Sequence, residues 1–346
     1  MNSYLKNVLE EVSFSSLIDW SKINNKTIFI TGATGYIGSM ITKSLIYKME
    51  LDKNFNVNLI LLVRDYDKAK AIFGENLNIQ YTISDVQNYV PKELNIDYII
   101  HAASPTKSKY FISSPIETLN IAINGTNNVL LQGKKSNVKS MVYLSSMEAY
   151  GVINQKVDEN DLGYIDNLNI RSSYSEGKRA CELYCKCYFE EYNVPVKIAR
   201  LAQTFGPGIS ENETRVYKYF ANSILNNNDI ILKTDGKTIV NYCYISDAII
   251  GILKILLDGS NGEAYNVVSD NSNLRVIDIA NWLISEFGEK NQCVKIEKEK
   301  GQSEFAPDNS MILLNYKLKS IGWYPKYNLK EGYTKLLNYL KEETKK

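Results

Sequence analysis

Histidine is almost absent from this sequence: His101 is the single one in 346 residues. Cysteine is scarce too, and Cys181, Cys185, Cys187, Cys243 and Cys293 are an odd number without a CxxC spacing. These shortages argue against a disulfide framework and leave any zinc site short of ligands, so no metal is expected and a reducing compartment is the simpler setting. Cys181 and Cys185, one helical turn apart, read as core thiols. An excess of charge is missing as well. Forty basic and 39 acidic residues leave +1, which gives no general attraction to nucleic acid or to an anionic membrane. No apolar run reaches the roughly 18 residues of a membrane-spanning helix. The opening MNSYLKNVLEEVSF lacks the charged end and apolar stretch of a secretory leader, so a cytoplasmic protein is expected. Internal repeats and low-complexity segments are also lacking.

What is present is an ordinary globular composition, 44% hydrophobic and 23% charged. The length fits one large domain carrying a smaller lobe. Leu5, Val8, Leu9 and Val12 follow a helical period and mark residues 1–25 as a packing extension. From Lys26 the texture changes to an apolar TIFI, a glycine-rich TGATGYIGS and a helical MITKSLIYKM. Apolar strands are predicted at 58–63, 79–83, 98–101, 140–145 and 196–201, with helices between them. That alternation predicts an α/β fold with a parallel sheet covered on both faces, over residues 26–205. After Gly206-Pro207-Gly208 the pattern is irregular. Helices are expected at 216–225, 247–257, 276–287 and 327–339, so 206–346 reads mainly as a lobe over the sheet's carboxyl edge, with segments returning to the core.

Gly32, Gly35 and Gly38 form TGxxGxxG directly between a strand and a helix. In a dinucleotide site such glycines make the turn, admit the pyrophosphate and let the helix pack closely on the strand. Tyr36 and Ile37 lie inside the turn and open a helix whose free amides favour phosphate. The second strand ends in Arg64-Asp65, which points two ways. Asp65 can hold ribose hydroxyls and favours NAD, whereas Arg64 can pair with the extra phosphate of NADP. NAD is chosen, with NADP still possible. Asp85, followed by Val86, has two readings: a ligand of the adenine amino group or a helix cap. After the fourth strand, Ala102, Ala103 and Ser104 are small enough to let backbone touch the cofactor, while His101 reads as a packing residue rather than a base.

Tyr174 and Lys178 are four residues apart in YSEGK, on one helical face, so the ammonium can stabilise a phenolate. A tyrosine titrating near pH ~10 needs such help to take a proton at neutral pH. A surface YxxxK is the alternative in a chain with 25 tyrosines. Ser146 ends the fifth strand, where an open α/β sheet places its ligand, and can bond the oxygen that gains or loses the proton. Ser145 is the alternative. Glu148 is close enough for a second acid or base.

The order and spacing of TGATGYIGS, HAAS, YLSSMEAYG, YSEGK and ARLAQTFGPG resemble the extended short-chain dehydrogenase/reductases, the NAD-dependent epimerase/dehydratase family, from Lys26 onward. The resemblance implies a Rossmann-type doubly wound sheet with a smaller carboxyl-terminal substrate-binding lobe, frequent homodimers, and sugar-nucleotide substrates. It implies oxidation of the sugar at C4, with Tyr174 removing the hydroxyl proton. HAASPTKSKYFISSPIETL, RSSYSEGKRACE and GWYPKYNLKEGY look most like UDP-glucuronate decarboxylases, and SSMEAYG and NYCYISDA also resemble capsule-cluster polysaccharide enzymes. Glu148 matches a glutamate that decarboxylases and dehydratases share.

This chain departs from the family at several positions. Val240 stands where an arginine is usual, Gln203 and Ala122 replace asparagines, Met147 replaces an acidic aspartate, and no later arginine appears near Phe305 to Ser310. Simple dehydration is therefore less favoured than decarboxylation, epimerisation or another 4-keto-dependent step, and net reduction stays open. Gln203, Arg171, Arg215 and Lys218 are the substrate-binding candidates. Arg200 is a further anion partner, and for each cation a salt bridge is the alternative reading.

Overall fold

The computed structural model describes residues 1–298 and 309–345. Seven strands form one sheet: β1 Lys26–Thr31, β2 Val57–Val63, β3 Ile79–Ile83, β4 Tyr98–His101, β5 Ser140–Ser146, β6 Val196–Leu201 and β7 Ala264–Val267. Their order is β3-β2-β1-β4-β5-β6-β7, and every pair is parallel. The strand order reverses between β1 and β4. Such a switch point opens a crevice at the carboxyl ends of the strands.

Helices α1 Ser3–Ser13, α2 Tyr36–Leu51, α3 Tyr66–Phe73, α4 Ser108–Ser113, α5 Pro115–Ser136 and α6 Ser172–Tyr192 precede β6. Beyond it come α7 Val216–Leu225, α8 Ile245–Asp258, α9 Val276–Phe287, α10 Tyr316–Ser320 and α11 Leu329–Glu343. Alternate strand residues face opposite layers. Ile28 and Ile30 of β1 pack with Met40 and Leu45 of α2 and Ile249 and Leu253 of α8, while Phe29 packs with Val129 of α5 and Cys181 and Cys185 of α6. Pro115 begins α5 at a position where its missing N–H costs nothing, and Asn137, at φ 46°, ends it. A third cluster, of Phe205, Tyr217, Tyr242, Tyr333 and Leu336, fills the space among α7, α9 and α11. Among the described residues, no helix is long and apolar enough to cross a membrane.

The chain after the Gly206 turn does not stay apart, because β7 pairs with β6 and α8 covers the sheet. Helix α1 lies across α2 and α8 and reaches α11. Asn2 caps it and donates to Tyr339 O at 3.2 Å and Glu343 Oε1 at 2.8 Å, while Glu11 receives Lys326 Nζ and the Tyr327 hydroxyl.

Candidate active site

The glycine turn joins β1 to α2, and Gly35 is the N-cap of α2. Gly32 takes φ +67°, and a Cβ on it would come within 2.6 Å of the Ala102 carbonyl carbon and 2.7 Å of Ala103 N. On Gly38 a Cβ would meet Gly32 O at 2.3 Å. Gly35 differs, since its Cβ would meet only Gly32 O, at 3.2 Å, and otherwise open space. The turn is thus closed on the protein side and open in front. Tyr36 turns away, donating to Gly206 O at 3.0 Å, and so ties α2 to the later turn, while Ile37 packs against the core.

Asp65 caps α3, accepting Lys68 N at 2.9 Å through Oδ1. Asp85 caps a short turn through Gln87 N at 3.1 Å, and Arg64, with its side chain 75% exposed, stands 3.6 Å from it. The cap reading of Asp85 is therefore realised. Val86 is buried against α5, and Ser104 bonds only Pro105 O among the described contacts.

His101 is buried, with Nδ1 2.7 Å from the Thr31 hydroxyl and Nε2 3.2 Å from that of Thr126. Burial, with the nearby Lys178 charge, pushes its pKa down to about 3, so it is neutral and serves as a buried strut. Beside it, β5 delivers Ser146 and α6 delivers Tyr174 and Lys178 to the same edge. Lys178 Nζ donates to Leu144 O at 2.8 Å and lies 5.6 Å from the Tyr174 ring centroid. Burial lowers its pKa to about 8. Burial and then Glu148 hold the Tyr174 hydroxyl well above its ordinary value, while Ser146 and Arg215 favour its ionisation. Phe111 stacks on Tyr174 at 4.2 Å and 6°, a contact that the sequence pattern gave no reason to expect.

Glu148 Oε2 lies 3.4 Å from both Arg171 Nη1 and the Ser175 hydroxyl, and the buried Arg171 Nε has no partner among the described residues. Gln203 Oε1 is likewise buried without one. Arg200, read as an anion partner, is corrected: it forms a buried pair with Glu182, Nη2 to Oε2 at 2.8 Å, and donates to Glu159 O. Ser145 donates to that same Glu182 at 2.5 Å, whereas the Ser146 hydroxyl accepts from Glu148 N at 3.2 Å. Val240 is buried in a short pairing of Ile239–Val240 with Leu274–Arg275, and Ala122 allows α5 and α6 to meet at Gly177. Most of the segment near Phe305 lies outside the described residues.

The profile of the NAD dependent epimerase/dehydratase family matches residues 28–268, more than half of the chain. The chain belongs to this family. It is thus an NAD-dependent enzyme of the extended short-chain dehydrogenase/reductase type. This epimerase/dehydratase-family chain is similar to UDP-glucuronic acid decarboxylase 1 of Xenopus tropicalis, at 26% identity over 93% of this chain and 74% of that protein. It is similar to dTDP-D-glucose 4,6-dehydratase of Homo sapiens at 25% identity over 92% and 90%. The fold matches an epimerase of Methanothermobacter thermautotrophicus at TM-score 0.79 and 21% identity, covering 96% of this chain and 97% of that one. The open face of Gly35 and the α2 amino terminus fit the pyrophosphate of NAD, and the backbone of Ala102 and Ala103 backs the turn at Gly32.

Proposed function

We propose that the chain oxidises the C4 hydroxyl of the sugar in a sugar nucleotide and takes the 4-keto sugar through a second step before completing the reaction. The reading is carried by the convergence of Ser146, Tyr174 and Lys178 at the carboxyl edge that also holds the glycine turn. NAD, when bound, supplies a hydride acceptor at C4 and later the donor. Tyr174 takes the proton from O4 as the hydride leaves, Ser146 bonds the same oxygen, and the Lys178 charge lowers the cost of the phenolate. A buried tyrosine with a raised pKa returns that proton readily once the hydride comes back.

For the second step, the unpartnered Arg171 Nε beside Glu148 favours a substrate with a carboxylate at C6. Such a carboxylate is β to the C4 ketone. The C5–C6 bond breaks, its electron pair enters the C4 carbonyl to give an enolate, CO2 leaves, and C5 then takes a proton. No acid is needed for a leaving hydroxyl, which accords with Met147 in place of an acidic group. Likeness to the UDP-glucuronic acid decarboxylases supports the same step. Exposed Ile116, Leu183 and Tyr184 on the outer sides of α5 and α6 support a homodimer, and light scattering that reads a monomer would remove it.

The test is mass spectrometry after incubation with UDP-, dTDP-, GDP- and CDP-sugars, including uronic acids. A loss of about 44 Da supports decarboxylation, and about 18 Da or no change would redirect the second step. Tyr174→Phe should cut single-turnover NAD reduction about 100-fold without loss of NAD binding. Near-normal turnover in that variant would sink the C4-oxidation reading.

A further inference from the structure

Helix α6 carries two pairs of side chains four residues apart. Tyr174 and Lys178 share one face, and Ser175 and Arg179 share the next, turned from the first by roughly 100°. The second pair meets a different part of the site. The Ser175 hydroxyl lies 3.4 Å from Glu148 Oε2, and Arg179 reaches the short turn Met147–Tyr150 that carries Glu148. Its Nε donates to Ala149 O at 2.6 Å, and its Nη2 donates to Tyr150 O at 3.0 Å and to Gly163 O at 2.7 Å. One guanidinium thus holds three carbonyls, two immediately after Glu148 and a third from the segment that leads to Arg171.

That segment needs such a tie. No residue from 160 to 170 is buried, and Leu162, Tyr164, Leu168 and Ile170 face solvent, so hydrogen bonds rather than packing fix its near end. Gly163 N donates to Tyr150 O at 2.7 Å, and Val152 and Tyr164 exchange backbone bonds at 2.8 and 3.1 Å. The approach is close: a Cβ on Gly151 would meet Tyr164 O at 2.4 Å, and one on Gly163 would meet Val152 O at 2.3 Å. A planar arginine fork spans several carbonyls in fixed directions, which the point charge of a lysine does not. The groups for hydride transfer are anchored elsewhere. Ser146 stays on β5 in register with Leu201 of β6, and Lys178 donates to Leu144 O.

We propose that Arg179 is a positioning residue, which clamps the Glu148 turn to the Gly163 segment and so serves the second chemical step, while hydride transfer at Ser146, Tyr174 and Lys178 proceeds without it. The part played by the second step rests on the 4-keto reading above. Glu148 and Arg171 face each other at 3.4 Å, and both sit on chain that this clamp steadies. A small displacement of a reacting group costs far more in rate than in stability.

The NAD-loaded full chain tests this with UDP-glucose and UDP-glucuronate as probes. In Arg179→Met, single-turnover NAD reduction should stay within about twofold of the parent while CO2 release from UDP-glucuronate slows about tenfold or more, so that reduced NAD accumulates. Arg179→Met added to Glu148→Gln should slow CO2 release no further, because the clamp acts through Glu148. Amide hydrogen exchange, read by mass spectrometry, should quicken at residues 147–151 and 163–164 and stay unchanged at 174–178. Arg179→Lys keeps a cation but not the fork, and should give the same split to a smaller degree should Arg179→Met fail to fold. NAD reduction and CO2 release slowed by one common factor, or full additivity with Glu148→Gln, overturns the proposal. Unchanged exchange at both segments overturns the clamp itself. Faster exchange confined to those segments supports the clamp even if UDP-glucuronate is not turned over, which would count against decarboxylation alone.

Discussion

Two buried cations flank β5, and they live in opposite surroundings. Arg200 of β6 meets Glu182 through Nε and Nη2 and Glu159 O through Nη1. Burial works against its charge, but Glu182 outweighs burial and raises its pKa. Lys178 of α6 has one carbonyl, Leu144 O, and burial brings its pKa down to about 8. A cation whose counterion is built into the fold holds the fold together, whereas one buried against a carbonyl keeps its charge available to a ligand. Adjacent serines repeat the division, since neighbours on a strand face opposite ways. Ser145 donates to Glu182, while Ser146 turns to Tyr174.

The strongest way to break this contrast is Arg200→Met, which strands Glu182 with Ser145 and should cost about 3–5 kcal/mol in urea unfolding. Arg200→Met combined with Glu182→Leu should recover most of that loss. Equal losses in the single and double variants would mean that packing, not charge pairing, matters there.

Lys178 sharpens the contrast through pH. Its folded pKa of about 8 lies below the ordinary lysine value, so between pH 8 and roughly 10.5 the unfolded chain binds more protons and stability rises with pH. Below pH 8 the folded state carries the full cost of the buried charge. Lys178→Met should thus be more stable than the parent at pH 7, by on the order of 3 kcal/mol, with the advantage fading as pH approaches 10.5. A difference that does not vary over that window would place Lys178 in the structural class with Arg200.

The smallest effect separates the serines. Ser145→Ala should lower stability by about 1.5–2 kcal/mol with the first hydride step nearly intact, while Ser146→Ala slows that step and barely moves the unfolding midpoint. Matched losses in both variants would erase the distinction.

The same contrast explains what could be read in the sequence. The strands at 79–83, 98–101 and 196–201 fall as predicted because continuous apolar runs are a local signal. The last helix was expected at 327–339 but begins at Leu329, where Asn328 and Glu331 form a capping box, while Tyr327 N is drawn to Asp247. Tyr174 and Lys178 are legible because a fixed helical spacing puts them together. Arg171 and Arg200 looked equivalent because the partner of a cation is set by distant chain segments: Glu182 marks Arg200 as structural only once α6 lies against β6. Arg215 gives Nη2 to Glu213 Oε2 at 2.5 Å, and Lys218 is buried in the first turn of α7. Glu213 had a local signal, two residues before Arg215 in ENETR, but only the folded turn shows its carboxylate clasped by backbone at Thr214 N and Arg215 N. Asp65, a ribose candidate by its place after β2, caps α3 through Lys68 N, a role its position after a strand did not announce.

Helix α1 adds a matter of timing. It is made well before its partners: Asn2 finds Tyr339 and Glu343, and Glu11 finds Lys326 and Tyr327, only once the segment that carries α11 has been made. The growing β1–β6 half can collect its neighbours as it emerges, but α1 must wait with Val8, Leu9 and Val12 partly uncovered until α8 and α11 arrive. The seam between α1 and α11 therefore joins segments far apart in the order of synthesis, and a ribosome stalled before Leu329 would hold all seven strands of the sheet with that seam still open.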